Sequence, residues 1–256
     1  MKKLLCLFSA SLLVLTSCSN GDDSPTVDST TAILPKKVIY TETDGTFFAS
    51  EVTYNGNKIV SVIQDGDKTN YTYTGDVITK IVELDVNNAT DNIIEYTYAN
   101  GKVASFVESE PGAPSKYKTI YTYNSDGSVS YKASSIDIAT NVENENSTGV
   151  LTFKDGNIIK EVRTSNGFVN TTTHEYDTKN NAVKNVLGLN LLLDNEQFVS
   201  VNNVVKSTEV SSYSDGGGTS TYVYTNTYTY DANGFPTEWK SFDNDGKLTG
   251  TMQYFY

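Results

Sequence analysis

One short pattern, repeated along most of the chain, constrains the fold more than any other feature. It runs aromatic, spacer, aromatic, then a turn of Asn, Asp or Gly, then an aliphatic residue. Copies start at Val52-Thr53-Tyr54-Asn55-Gly56, Tyr71-Thr72-Tyr73-Thr74-Gly75, Tyr96-Thr97-Tyr98-Ala99-Asn100-Gly101, Tyr121-Thr122-Tyr123-Asn124 and Leu151-Thr152-Phe153-Lys154-Asp155-Gly156. His174-Glu175-Tyr176 leads a further copy with Asn180-Asn181 as its turn, and Tyr228-Thr229-Tyr230-Asp231-Ala232-Asn233-Gly234 leads the last. Phe198 to Val205, with Asn202-Asn203, reads as a degenerate copy between them. The second aromatics recur after 19, 25, 25, 30 and 23 residues, from Tyr54 through Tyr176. A recurring unit of this size marks a repeat architecture.

The physics of one unit is that of a β-hairpin. Tyr-Thr-Tyr alternates large and small with period two, as a strand with two different faces requires. Asn-Gly and Asp-Gly tolerate the positive φ of tight hairpin turns. After the turn the aliphatic positions resume, as in Ile59-Val60-Ser61-Val62 and Ile78-Thr79-Lys80-Ile81. Chained hairpins predict an all-β antiparallel meander of ~14 to 16 strands. Because neighbouring strands twist by ~20°, such a sheet must coil or roll into a barrel-like form, open or closed. The exception is Val186 to Phe198, whose dense leucines predict a buried plug or short helix over the sheet, with a buried strand as the alternative.

The pattern resembles the YD repeat of the RHS family, most closely at Tyr230-Asp231-Ala232-Asn233-Gly234. The resemblance runs over roughly residues 38 to 256 and is poor from 186 to 222. It implies an all-β repeat fold. RHS shells surround a toxin, whereas this chain is too short for a shell, so the resemblance implies no activity.

The amino terminus predicts an address. Lys2-Lys3, an apolar run from Leu4 to Val14 and the ending Leu15-Thr16-Ser17-Cys18 have the layout of a signal peptide over residues 1–17. The ending resembles the lipobox of bacterial lipoproteins. That resemblance implies a mature chain starting at an acylated Cys18 and held to the membrane by lipid. Residues 18–36 then form a polar linker ahead of a single domain, 37–256. Asp22-Asp23 resembles the acidic export signal of surface lipoproteins in the Bacteroidetes, which implies an outer-membrane lipoprotein exposed at the surface; the periplasmic face is the alternative. Asp28-Ser29-Thr30 resembles the short O-glycosylation motif of the same bacteria, with Ser29 as the acceptor.

Charge and inventory exclude several functions. The formal charge of −12 counts Lys2 and Lys3, and removing them takes it to −14, so nucleic acid is not an expected partner. Cys6 and Cys18 are the only cysteines, His174 is the only histidine and Arg163 the only arginine. No metal site, cofactor or catalytic set is expected from so thin a supply. His174 takes the place of a repeat tyrosine and is expected to be structural. Glu95, Glu161, Glu175 and Glu238 lie on predicted strands without a spacing that marks an acid–base pair. Asp243-Asn244-Asp245-Gly246, Asp65-Gly66-Asp67 and Asp231-Ala232-Asn233-Gly234 have oxygens close in sequence but read as turns. Trp239, the single tryptophan, falls outside the repeat pattern and is the candidate for stacking on a sugar. The expectation is a lipid-anchored, non-catalytic envelope module that binds a protein or a glycan. The alternatives are a structural component without a specific ligand and, third, a carboxylate-based glycan hydrolase.

Overall fold

The computed structural model describes residues 32–194, 196–213 and 217–256. The expected signal peptide, the expected lipidation site Cys18 and the expected glycan acceptor Ser29 lie outside the described residues. The strands are β1 (Lys37–Glu42), β2 (Phe47–Asn55), β3 (Lys58–Gln64), β4 (Asp67–Thr74), β5 (Val77–Leu84), β6 (Thr90–Ala99), β7 (Lys102–Ser109) and β8 (Ser115–Tyr123). They continue as β9 (Val129–Asp137), β10 (Glu143–Lys154), β11 (Asn157–Ser165), β12 (Phe168–Tyr176), β13 (Val204–Tyr213), β14 (Thr219–Tyr230), β15 (Pro236–Phe242) and β16 (Leu248–Phe255).

From β2 to β16 each strand pairs antiparallel with the next, and β1 pairs with β16. The first and last strands thereby meet, and β1 and β2 close the ring of sixteen strands. At that seam the Glu42 N–H donates to the Thr46 carbonyl at 2.8 Å. Tyr40 stacks on Phe48 with centroids 6.4 Å apart.

Two-residue turns of the mirror-image type that the strand twist demands close some hairpins, whereas 124–128 and 231–235 are longer turns with positive φ only at Gly127 and Gly234. Asn100 and Gly101 have φ of 53° and 75°, and Asp155 and Gly156 have 51° and 79°. Six of the seven repeat copies, all but Tyr121-Thr122-Tyr123, also carry a β-bulge that period-two reasoning misses. Register shifts fall at Thr53/Tyr54, Thr72/Tyr73, Thr97/Tyr98, Thr152/Phe153, Glu175/Tyr176 and Thr229/Tyr230. The extra residue sits just beyond the turn, so inward positions there are spaced by three: Ile59 and Val62, Ile78 and Ile81, Val103 and Phe106. A bulge bends the strand and sharpens its twist. Repeated around the sheet, it supplies the curvature that closes the barrel.

A bulge also disturbs the ladder, and the tyrosines answer it. Tyr98 donates its hydroxyl to the Ile78 carbonyl at 2.6 Å, Tyr123 to Val103 at 3.0 Å, Tyr176 to Ile158 at 2.6 Å and Tyr256 to Pro236 at 2.9 Å. Each bond ties one hairpin to the one before it. Burial raises the Tyr98 hydroxyl to a pKa of about 12, so it remains a donor across the physiological range.

The interior at the repeat-turn end is apolar. Val52, Ile59, Val62, Ile78, Ile81, Val103, Val129, Leu151 and Ile158 are buried there with Val186, Leu189, Leu192 and Val199 from the β12–β13 connection. That connection, residues 177–203, is the plug expected from its leucines. It contains a 3-10 turn (Leu189–Leu191) and a one-turn helix, α1 (Glu196–Val199). Gly188 has φ of 79°, and a Cβ there would stand 3.1 Å from the Asp76 carbonyl oxygen, so glycine lets the plug touch the β4–β5 turn. The expected degenerate copy at 198–205 is not a hairpin. Phe198 and Val199 belong to α1, and Asn202-Asn203 lead into β13. Their side chains serve the plug instead: Asn157 Nδ2 donates to Asn202 Oδ1 at 3.0 Å, and Asn203 Nδ2 donates to Asp177 Oδ2 at 3.2 Å.

Candidate functional site: the open end of the lumen

The barrel has unlike ends. At one lie the repeat turns, the plug and both termini of the described chain. Leu34 and Pro35 are buried there, Asn185 Nδ2 donates to the Ile33 carbonyl at 3.0 Å, and Tyr54 donates to the Pro35 carbonyl at 2.9 Å. At the other end lie the return turns, among them 43–46, 85–89, 110–114 and 138–142.

Pairing register fixes which side chains enter the lumen toward that second end. From β5, β6 and β7 come Glu83, Asn92 and Glu108. Asn92 Nδ2 donates to Glu108 Oε1 at 3.0 Å and to Glu83 Oε2 at 3.3 Å, so one amide holds two carboxylates together. Burial, and secondarily the charge of Glu108, raise the pKa of Glu83, with the Asn92 bond working against them. Tyr96, Phe106, Tyr121 and Tyr131 form an aromatic chain across β6 to β9, with centroids 5.8, 6.3 and 6.4 Å apart. Asp194 of the plug faces them and accepts from the Tyr96 hydroxyl at 2.9 Å.

The opposite wall is the inner face of β12, β13 and β14. Its rungs are Phe168 with Tyr213, Asn170 with Ser211 and Ser220, Thr172 with Glu209 and Tyr222, and His174 with Ser207 and Tyr224. Tyr222, Tyr213, Phe168 and Tyr224 are 54, 51, 45 and 40% exposed, unlike the buried tyrosines of the repeats. Asn170 Nδ2 donates to Glu209 Oε1 at 2.8 Å, while Asn170 Oδ1 is buried without a hydrogen-bond partner.

The residues singled out from sequence are distributed differently. His174 is buried, with Nδ1 2.8 Å from Ser207 Oγ and its ring against Tyr176. Of the four glutamates, Glu95, Glu175 and Glu238 stand on the outer face in ion pairs with Lys80, Lys206 and Lys240 at 3.1, 2.7 and 2.8 Å. Only Glu161 faces the lumen, where it accepts from the Tyr131 hydroxyl. No two of the four meet. The turn aspartates are occupied by backbone: Asp231 Oδ1 accepts from the Asn233 and Phe235 N–H groups, and Asp243 Oδ1 from those of Asp245 and Lys247. Trp239 does lie within the repeat pattern. It occupies the inward position three residues past Pro236, as Val62, Ile81 and Phe106 do in their units, and is partly buried against the core. Sequence reading missed Glu83, Glu108, Glu209, Tyr222 and Tyr224 as a set, because nothing local shows that they share a lumen.

The outer face is polar. Cross-strand pairs Lys80–Glu95, Lys118–Glu143, Lys132–Glu145 and Lys206–Glu175 stand at 2.7–3.1 Å among threonines and aliphatic residues, the latter including the cross-strand pairs Val82–Ile93 and Val150–Val162. No helix among the described residues is long and apolar enough to cross a membrane.

No family model and no curated protein matches the sequence. The likeness to YD repeats therefore rests on the hairpin pattern itself. The fold does match solved structures. A porin-like protein from Bacteroides vulgatus aligns at a TM-score of 0.62 with 16% identity, covering 88% of this chain and 99% of that one. A porin-like protein from Bacteroides uniformis aligns at 0.54 with 12% identity, covering 86% and 96%. These likenesses show a shared antiparallel barrel fold.

Proposed function

We propose that the protein is a lipid-anchored, non-enzymatic binding module of the cell envelope, a β-barrel cup that takes a glycan or protein partner at its open end. The observation that carries this reading is the unlikeness of the two ends. One is filled by the plug, and the other presents exposed aromatic rings, carboxylates and amides. Acylation at Cys18 attaches the chain at the plugged end, since residues 33–36 dock there. The open end then faces away from the bilayer, which suits a surface-exposed lipoprotein of the outer membrane. O-glycosylation at Ser29 belongs to the same tether.

The neighbours are described as porin-like, but a membrane-spanning reading is disfavoured by this barrel's own surface. A transmembrane barrel turns an apolar band ~25 Å tall to the lipid and polar groups inward. Here ion pairs and threonines face outward and aliphatic residues fill the lumen at one end. Strands such as β1 and β15, of 6 and 7 residues, are also shorter than the ~9–11 a tilted span requires.

Fractionation tests the anchor: Cys18→Ala moves the protein from the membrane to the soluble fraction, and a variant that stays membrane-bound refutes lipid attachment. Capture of envelope glycans or proteins by the detergent-purified chain tests the cup. A captured partner should be lost on Tyr222→Ala with Tyr224→Ala, and capture that survives both changes refutes the open end as the binding surface.

A further inference from the structure

The β12–β14 wall is built more specifically than a generic polar surface. Its rungs alternate aromatic and hydrogen-bonding character: Phe168 and Tyr213, then Asn170, then Glu209 with Tyr222, then Tyr224. Phe168 and Tyr213 pack at a centroid distance of 4.5 Å and form one platform. Rungs on one face are two residues apart, so the platforms span about 20 Å, the reach of a short oligosaccharide. Between them Asn170 Nδ2 donates to Glu209 Oε1 at 2.8 Å, which sets an amide and a carboxylate side by side on the wall.

Charge narrows the class of ligand. Beside the wall, Glu161 and Arg163 of β11 stand opposite Thr172 and Asn170, so with Glu209 the local balance is two carboxylates to one guanidinium, and Glu83 and Glu108 add negative charge from across the lumen. A uronate or sulfate would meet net repulsion there, worth most in a partly desolvated site. A neutral sugar meets none. Its C–H face suits the negative face of an exposed tyrosine ring, and its hydroxyls suit carboxylate and amide.

We propose that the inner face of β12–β14 is a subsite for an uncharged oligosaccharide, with Tyr222, Tyr224 and the Phe168–Tyr213 platform stacking on sugar rings and Asn170 and Glu209 binding their hydroxyls. This rests on the open end being the binding surface. The test is titration of the detergent-purified full chain with neutral, uronate-bearing and sulfated oligosaccharides, first on an array and then by calorimetry. Neutral chains should bind, Tyr222→Ala should weaken them about tenfold or more, and Tyr222→Phe should retain them. Glu209→Gln should weaken neutral chains without creating affinity for acidic ones. Binding confined to acidic glycans overturns the proposal, as does neutral binding indifferent to Tyr222→Ala. A blank array, with an envelope protein captured in a Tyr222-dependent way, sinks the oligosaccharide while sparing the open end. Neutral binding that survives both tyrosine substitutions sinks the two together.

Discussion

The plugged end and the open end of the lumen are made by the same strands, a few residues apart, yet they obey different rules. At the plugged end every inward position serves the repeat: aliphatic residue after the turn, bulge, and tyrosine hydroxyl onto the preceding hairpin. At the open end the same inward positions carry Glu83, Asn92, Glu108, Glu209, Tyr222 and Tyr224. The aliphatic core and the tyrosine-to-carbonyl bonds are concentrated where the plug packs, while the far side chains make fewer and more polar contacts, among them Asn92 with Glu83 and Glu108 and Asn170 with Glu209.

Substitutions at the two ends should therefore separate stability from binding. The largest effect is expected from Leu192→Ala in the plug, where the side chain is 1% exposed among Val186, Leu189 and the strand aliphatics. It should cost about 2–5 kcal/mol and lower the melting temperature by about 5–15 °C, whereas Tyr222→Ala should leave melting within a few degrees. Equal losses at both would erase the proposed division. Next comes Gly101→Val. With φ of 75° and open space around it, the cost is backbone strain alone, about 1–3 kcal/mol. An unchanged denaturant midpoint would contradict this turn geometry.

Tyr98→Phe sharpens the comparison further. It removes the hydroxyl bonded to the Ile78 carbonyl while keeping the ring, and should cost about 1 kcal/mol. Tyr222→Phe, at the open end, should leave chemical denaturation unmoved. The smallest effect concerns pH. Because the folded-state pKa of Glu83 is raised above its ordinary value of 4.5, its contribution to stability is fully present below about that pH and is lost as pH rises through the raised value. Glu83→Gln should melt a few degrees higher than the wild type at pH 7 and lose that advantage by pH 4. An advantage that persists in acid would show that the gain does not come from relieving this charge.

Much of the wall was legible beforehand, for local reasons. Alternation in Tyr71-Thr72-Tyr73, and Asn100-Gly101 between strands, dictates hairpins whatever the rest of the chain does. The leucines of 186–193 announced a buried segment by density alone. Trp239 joins the repeat only through the bulge at Thr229/Tyr230, which spaces the inward positions Pro236 and Trp239 three apart and leaves no local mark in the sequence. The copy at 198–205 was overread because Asn-Asn between aliphatic residues occurs as readily in a plug as in a turn. The luminal residues were invisible for a different reason. Asn92 meets Glu83 and Glu108 through pairing of adjacent strands, but Glu209 lies across the lumen from them, and only closure puts them on one interior.

The sequence by itself determined the β class, the hairpin unit and its turns, because these follow from period and turn chemistry. The tertiary structure alone decided that the sheet closes, which face is inward and which end is open. Closure depends on β1 meeting β16 across nearly the whole chain, and on a bend contributed by each bulge. Neither is a property of any short stretch of residues, so the candidate binding wall exists only once the ring is complete.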